Sequence, residues 1–132
     1  MDFSSLVLME RDKDTNFLVR ELGSFKVDEG AIYVTKLYYD GEKINMFFDT
    51  NRDVEEWEYS AIYDLFNVSA FEEKGFIIEE IDEEYNPTWL LKFDYIEDYE
   101  AMGNKIREAC DIIETEIKNI FEIIKDKQED YE

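Results

Sequence analysis

Carboxylates are the side chains of this chain most able to do chemistry. Its 132 residues hold 35 Asp and Glu against 14 Lys and Arg, a net charge of −21, and no histidine. Grouped carboxylates suit hard cations such as Ca²⁺ or Mg²⁺. Asp12-Lys13-Asp14-Thr15-Asn16 opens like the D-x-D-x-N of a calcium loop. Phe17 stands where that loop needs glycine, however, and Gly23 where its bidentate glutamate belongs, so the match fails. Glu79-Glu80-Ile81-Asp82-Glu83-Glu84 is the densest acidic run, and strand alternation would divide its charges between two faces. Paired carboxylates can also hydrolyse glycosidic bonds, but no pair stands apart from the rest.

Other chemistries lack their residues. Without histidine the commonest general base and metal ligand is missing. Cys110 is the single cysteine, which excludes an intrachain disulfide and a multi-cysteine zinc site; it is expected inside the last helix. No phosphate-cradling glycine loop, G-x-S-x-G elbow or cysteine–histidine pair occurs. No catalytic, cofactor-binding or metal-binding residues are therefore assigned, and a non-enzyme is expected. The charge opposes direct contact with nucleic-acid phosphate and with anionic membranes. No apolar stretch reaches the 18 or so residues of a membrane span, and Met1-Asp2-Phe3-Ser4-Ser5 lacks a basic signal-peptide start, so a cytoplasmic protein is expected.

The carboxylates have a plainer use at helix starts. Met46-Phe47-Phe48-Asp49-Thr50-Asn51-Arg52-Asp53 aligns with Leu91-Lys92-Phe93-Asp94-Tyr95-Ile96-Glu97-Asp98 at an offset of 45. In both, an aromatic anchors a strand end and acidic residues meet the free N–H groups of a following helix. Asp53 with Glu56, Asp94 with Glu97 and Ser69 with Glu72 have capping-box spacing. The alignment suggests an internal ββα repeat, units 31–66 and 76–127, within a single domain of residues 1–132.

The elements that carry these residues follow from periodicity. Strands are predicted over 3–9 and 16–22, with Gly23-Ser24 as a break. Ala31–Tyr39 and Glu42–Phe48 flank Asp40-Gly41, which predicts a two-residue type I′ hairpin pairing Leu37 with Ile44 and Thr35 with Met46. Lys36, Tyr38, Lys43 and Asn45 then share the opposite face. A helix is predicted over 54–66, then strands over 76–83 and 88–95, then a long helix over 96–127. The latter carries Met102, Ile106, Cys110, Ile113, Ile117, Ile120 and Ile124 at near-heptad spacing. The expected fold is α+β, order ββββαββα, an antiparallel sheet of about six strands covered on one face by a middle helix and a long C-terminal helix. That last helix is expected to outrun the sheet, leaving Ile117, Ile120, Phe121 and Ile124 for self-association as a homodimer, or to fray beyond Phe121.

The block YYDGEKINMFFDTNRDVEEWEYSAIYDLF, with NPTWLLKFDYIED after it, resembles a small family of clostridial proteins whose function is undefined. The resemblance spans nearly the whole chain; it implies a cytoplasmic bacterial protein and carries over no site residues. The element order alone is similar to that of secretion-chaperone-like proteins, which dimerise and hold partner segments, although the N-terminal helix of that family has no counterpart here. The resulting expectation is a non-catalytic module that binds a protein partner, one with a basic surface among the candidates, with no cofactor. The alternative is an acidic nucleic-acid mimic that inhibits a basic partner through Glu79, Glu80, Asp82, Glu83 and Glu84; from Glu72 to Glu100 there are 11 acidic and 2 basic residues. An acidic metal-dependent enzyme is the third.

Overall fold

The computed structural model describes residues 4–27 and 29–132 and is α+β. Strands β1 (Ser4–Arg11) and β2 (Leu18–Val27) form a hairpin, a 3-10 helix spans Glu29–Tyr33, and β3 (Val34–Tyr39) and β4 (Ile44–Asp49) form a second hairpin. Helices α1 (Glu56–Leu65) and α2 (Ser69–Glu72) precede the hairpin of β5 (Ile77–Ile81) and β6 (Thr88–Phe93). Helix α3 (Tyr99–Ile124) and the short α4 (Gln128–Tyr131) close the chain. The six strands make one sheet in the order β2-β1-β3-β4-β6-β5. Every neighbouring pair is antiparallel except β1 and β3, which run parallel over Met9–Tyr38 and Glu10–Tyr39. Phe3, placed in the first strand by its sequence, lies outside the described residues.

One face of the sheet is buried. Leu8, Phe25, Ile44, Met46, Phe48, Trp89, Leu91 and Phe93 lie on it, sealed against Ala61 and Ile62 of α1, Phe71 of α2 and the stripe of α3. Each α3 residue read from the near-heptad spacing (Met102, Ile106, Cys110, Ile113, Ile117, Ile120, Ile124) is at most 2% exposed. The helix has 26 residues, about 39 Å, and its apolar face is covered to the end. It continues past Phe121 to Ile124, whose side chain is buried, and α4 follows. In the middle of the sheet the β4–β6 ladder sets Met46 opposite Leu91, Ile44 opposite Phe93 and Phe48 opposite Trp89. Met46 and Leu91 are themselves equivalent at the offset of 45, so this ladder is symmetric about that pair.

Local details depart from the sequence reading in instructive ways. A 3-10 helix over Glu29–Tyr33 takes in 31–33, the predicted start of the strand, and Gly30 lets it sit directly against the α3 backbone. The β3–β4 register is Leu37 with Met46 and Tyr39 with Ile44, not the predicted Leu37 with Ile44. A four-residue loop replaces the type I′ turn: only Gly41 has positive φ, and the Asp40 carboxylate accepts the Glu42 and Lys43 N–H groups at 2.9 and 2.8 Å. The shift by two residues keeps Lys36 to Tyr39 and Ile44 to Phe48 on their predicted faces, whereas a bulge at Thr35 sets Val34 opposite buried Phe48 and leaves Thr35, predicted inward, exposed. Gly23-Ser24 is not a break. A bulge at Leu22 lets β2 continue to Val27 and reverses which residues point inward, so Phe25 and Val27 are buried.

The caps also move. Glu55, not Asp53, is the N-cap of α1, and the Glu58 carboxylate accepts its N–H at 2.9 Å. Asp98, not Asp94, caps α3 by accepting the Ala101 N–H at 2.8 Å, while Asp94 pairs with Lys43. Val68 precedes α2 without a side-chain cap, so Ser69 does not serve there. Gly75, at φ 86°, follows α2 in the left-handed conformation that glycine adopts without strain.

Asp40 links the β3–β4 loop to pH. Burial pushes its pKa up, but the N–H groups of Lys43 and Glu42 and the Asn45 amide outweigh this and hold it below the usual carboxylate value. A depressed folded pKa adds stability above the unfolded value of about 3.9, and that stability disappears as pH falls through the folded value. The unfolding free energy of wild type minus that of Asp40→Asn should therefore hold steady from pH 7 to 5 and shrink below about pH 4. Urea titrations at each pH measure it; a gap unchanged down to the acid limit contradicts this role.

Candidate functional site

The acidic run falls on the outer edge of the sheet. Glu79 and Glu80 belong to edge strand β5, and Asp82, Glu83 and Glu84 to the loop that leads to β6. All five are exposed. Pairing with Leu90 puts Glu79 on the face away from the helices, and pairing with Trp89 puts Glu80 on the helical side. The loop is tied down by α1: the Tyr59 hydroxyl donates to the Glu84 carbonyl at 2.8 Å. The Tyr63 hydroxyl accepts the Thr88 N–H at 2.9 Å and donates to the Ile81 carbonyl at 2.9 Å. Burial, above all, pushes the Tyr63 phenol well above its ordinary range. The segment is a fixed ridge of carboxylates, and among the described residues only Glu79 has an ion-pair partner, Lys92 at 3.8 Å.

Asp12-Lys13-Asp14-Thr15-Asn16 is the turn of the β1–β2 hairpin. Asp12 accepts the N–H groups of Asp14 and Thr15, both at 2.9 Å, which lowers its pKa; Asn16 takes φ 63°. Its carboxylate serves its own backbone. Among the described residues, no three acidic or cysteine side chains come together as a metal-binding group. The residues named for self-association are placed inside. Ile117, Ile120 and Ile124 pack in the chain's own core, and Phe121 is half-buried beneath Arg52. Ile123, 47% exposed, is the large apolar residue that this end of α3 turns to solvent.

The sheet face away from the helices presents the broader surface. Its registers align two cross-strand rows. One runs Glu21, Met9, Tyr38, Asn45, Lys92, Ile77; the other runs Lys36, Phe47, Leu90, Glu79, with Ser24 paired to Val7 on the β1–β2 side. Val7 and Ile77, at the two flanks, are 43% and 49% exposed. Tyr38 and Phe47 stack with centroids 6.4 Å apart. Arg11 lies over the Tyr38 ring at 5.4 Å and Lys36 over the Phe47 ring at 5.5 Å. Their aliphatic stems shield the rings while the charges stay in water. On a chain of net charge −21, this face carries Arg11, Lys26, Lys36 and Lys92, with Glu21 and Glu79 at its two ends. The alternation of β3 and β4 separates Lys36, Tyr38 and Asn45 from the core in the sequence itself. The contributions of Met9, Leu90 and Ile77 depend on strand order and were not foreseeable.

Beyond β4 the chain crosses α3 and makes a groove of about 360 Å³ lined by Tyr33, Thr50, Arg52, Ile117, Lys118, Phe121 and Glu122. The Arg52 guanidinium carbon lies 3.4 Å from the centroid of the Phe121 ring. The loop holds this arginine by a backbone device: the Thr50 hydroxyl donates to the Arg52 carbonyl at 2.8 Å, with Asn51 at φ 55° between them. No sequence signal pointed to this contact.

Among the described residues, no helix is long and apolar enough to cross a membrane. No curated protein and no solved structure matches the chain. A family model does, from end to end over residues 1–132, and it agrees with the resemblance read from the block around Asp40 to Phe66: the chain belongs to a family of unknown function, DUF6762.

Proposed function

We propose that this chain is a non-catalytic, cytoplasmic protein-binding module whose partner sits on the open face of the sheet. One observation supports the reading above others: half-buried Met9, Tyr38 and Phe47 form a continuous apolar band with exposed Val7 and Ile77 at its flanks. Contiguous apolar surface rimmed by polar groups is what interfaces present. The cations along the band fit a partner whose apolar residues are bordered by carboxylates, the charge pattern that steers encounter and rejects wrong partners.

Affinity capture from the native cell, run in parallel with wild type and Lys36→Glu/Ile77→Glu, tests it. A partner held by wild type should fall at least about tenfold with the double variant, and stay with a control, Ile123→Glu, on the helical side. Equal recovery on all three baits contradicts the placement on this face. The exposed ridge Glu79–Glu84 favours a second reading, a nucleic-acid mimic that occupies a basic groove. Such a complex dissociates above a few hundred millimolar salt, whereas one built on the apolar band persists.

A further inference from the structure

We infer that the groove between the β4–α1 loop and α3 binds a small organic anion: an apolar body carrying a carboxylate or phosphate head. Arg52 is the first ground for this. Its guanidinium is stacked on Phe121, and among the described residues it has no carboxylate within ion-pair distance, in a chain where acids outnumber bases 35 to 14. A stacked guanidinium keeps its N–H edge in a fixed plane, the geometry that grips two oxygens of one anion.

The surroundings supply the rest. Lys118 adds a second cation to the rim, and its own partner, Glu114, is 3.5 Å away. Glu122, the carboxylate of the lining, is engaged by Lys125 at 3.1 Å. The nearby groove of about 610 Å³ is lined by Glu55, Glu56 and Glu132 and by no cation, so the Arg52 groove has the opposite electrostatic character. Tyr33, Ile117 and Phe121 line it with apolar surface, which calls for an apolar body on the ligand. Its volume of about 360 Å³ is at the small end of ligand sites, the size for a ring and a short chain. The repulsion of the whole chain does not forbid this. At physiological salt charges beyond about 8 Å are largely screened, so the local balance counts: Arg52 and Lys118 against Glu122 and Glu114, each of these carboxylates paired with a lysine, which leaves Arg52 as the cation without an ion-pair partner among the described residues.

The test uses the full chain and NMR, following the Arg52 side-chain N–H and the Phe121 ring during titration with 3-phenylpropionate, phenyl phosphate and the neutral 3-phenylpropionamide. Saturable shifts with the two anions are expected, with the amide at least about tenfold weaker. Arg52→Gln should weaken the anions about tenfold and leave the amide unchanged, because only the charged head is lost from the contact. Lys118→Gln should weaken them by a smaller factor, and both variants, altered at exposed positions, should keep the wild-type fold by circular dichroism. Equal binding of anion and amide overturns the proposal. So does unchanged anion binding in Arg52→Gln, or no saturable shift with either anion at about 10 mM, beyond the millimolar range of weak specific sites.

Discussion

Trp89→Ala should cost about 3–5 kcal/mol and leave most of the chain unfolded or marginally folded at 37 °C. Trp89 is fully buried at the centre of the aromatic core, with ring centroids 4.2 Å from Phe66, 5.2 Å from Phe48 and 5.4 Å from Tyr63. These rings come from α1, the residue that ends it, and two adjacent strands, so truncation opens a cavity that no single element can close. Its indole N–H has no hydrogen-bond partner among the described residues. Trp89→Phe should for this reason cost much less, about 1.5 kcal/mol or under, since it keeps a ring and removes an unpaired buried donor. Chemical denaturation followed by far-UV circular dichroism measures both. A loss below about 1 kcal/mol for the alanine variant contradicts the view that this cluster joins the helices to the sheet.

Gly30→Ala should be nearly as damaging although it adds one methyl group. A Cβ at this position would lie 2.2 Å from the Cys110 carbonyl oxygen and 2.8 Å from its carbon, so the 3-10 helix has to move off α3. Overpacking costs about 1–3 kcal/mol as a rule, and a clash with backbone, which yields least, belongs at the upper end, about 3 kcal/mol. The obstacle is the α3 backbone, and this makes a sharp control possible. Shortening the side chain with Cys110→Ala should fail to rescue Gly30→Ala, because only the 3.3 Å contact with the Cys110 Cβ involves a side chain. Substantial rescue in the double variant means that the two elements are held apart by side chains rather than by peptide groups. Thermal melts of the two single variants and the double variant decide it.

The two substitutions differ in how far the sequence foreshadows them. Trp89, Leu91 and Phe93 recur at every second position, interleaved with Thr88, Leu90 and Lys92, so their shared face is legible from strand period, although Leu90 among them is as apolar as Leu91. Gly30 looks like one more turn glycine beside Asp28-Glu29. Its need for close approach exists only because α3, arriving far later in the chain, crosses that spot. The β1–β2 hairpin shows the same division. Alternation over residues 16–22 announces a strand, but two bulges change which residues face inward, and Phe17, Leu18 and Val19 at the hairpin tip stay exposed. Capping was legible in kind and not in place. Carboxylates do meet the starts of α1 and α3, yet several compete within a few residues, and the geometry of each loop selects Glu55 and Asp98.

The candidate site follows the same rule. Lys36 and Tyr38 separate from the core by period two. The band that they join needs β1 beside β3 and β6 beside β4, pairings that local sequence does not encode. The Arg52–Phe121 stack joins a loop to a helix more than half the chain away, so nothing in either stretch hints at it. What the residues determined by themselves is whatever depends on neighbours a few positions apart: the α+β element order, the buried stripe of α3, the faces of β3 and β4, and the charge. What the tertiary structure alone decided is whatever depends on the meeting of distant segments, namely register, cap positions, the cover that the chain's own core supplies to the far end of the α3 stripe, and the cation-bearing surfaces. The reason is physical. Hydrophobic periodicity is a property of one element, whereas packing partners are chosen by the shape and burial of the whole chain.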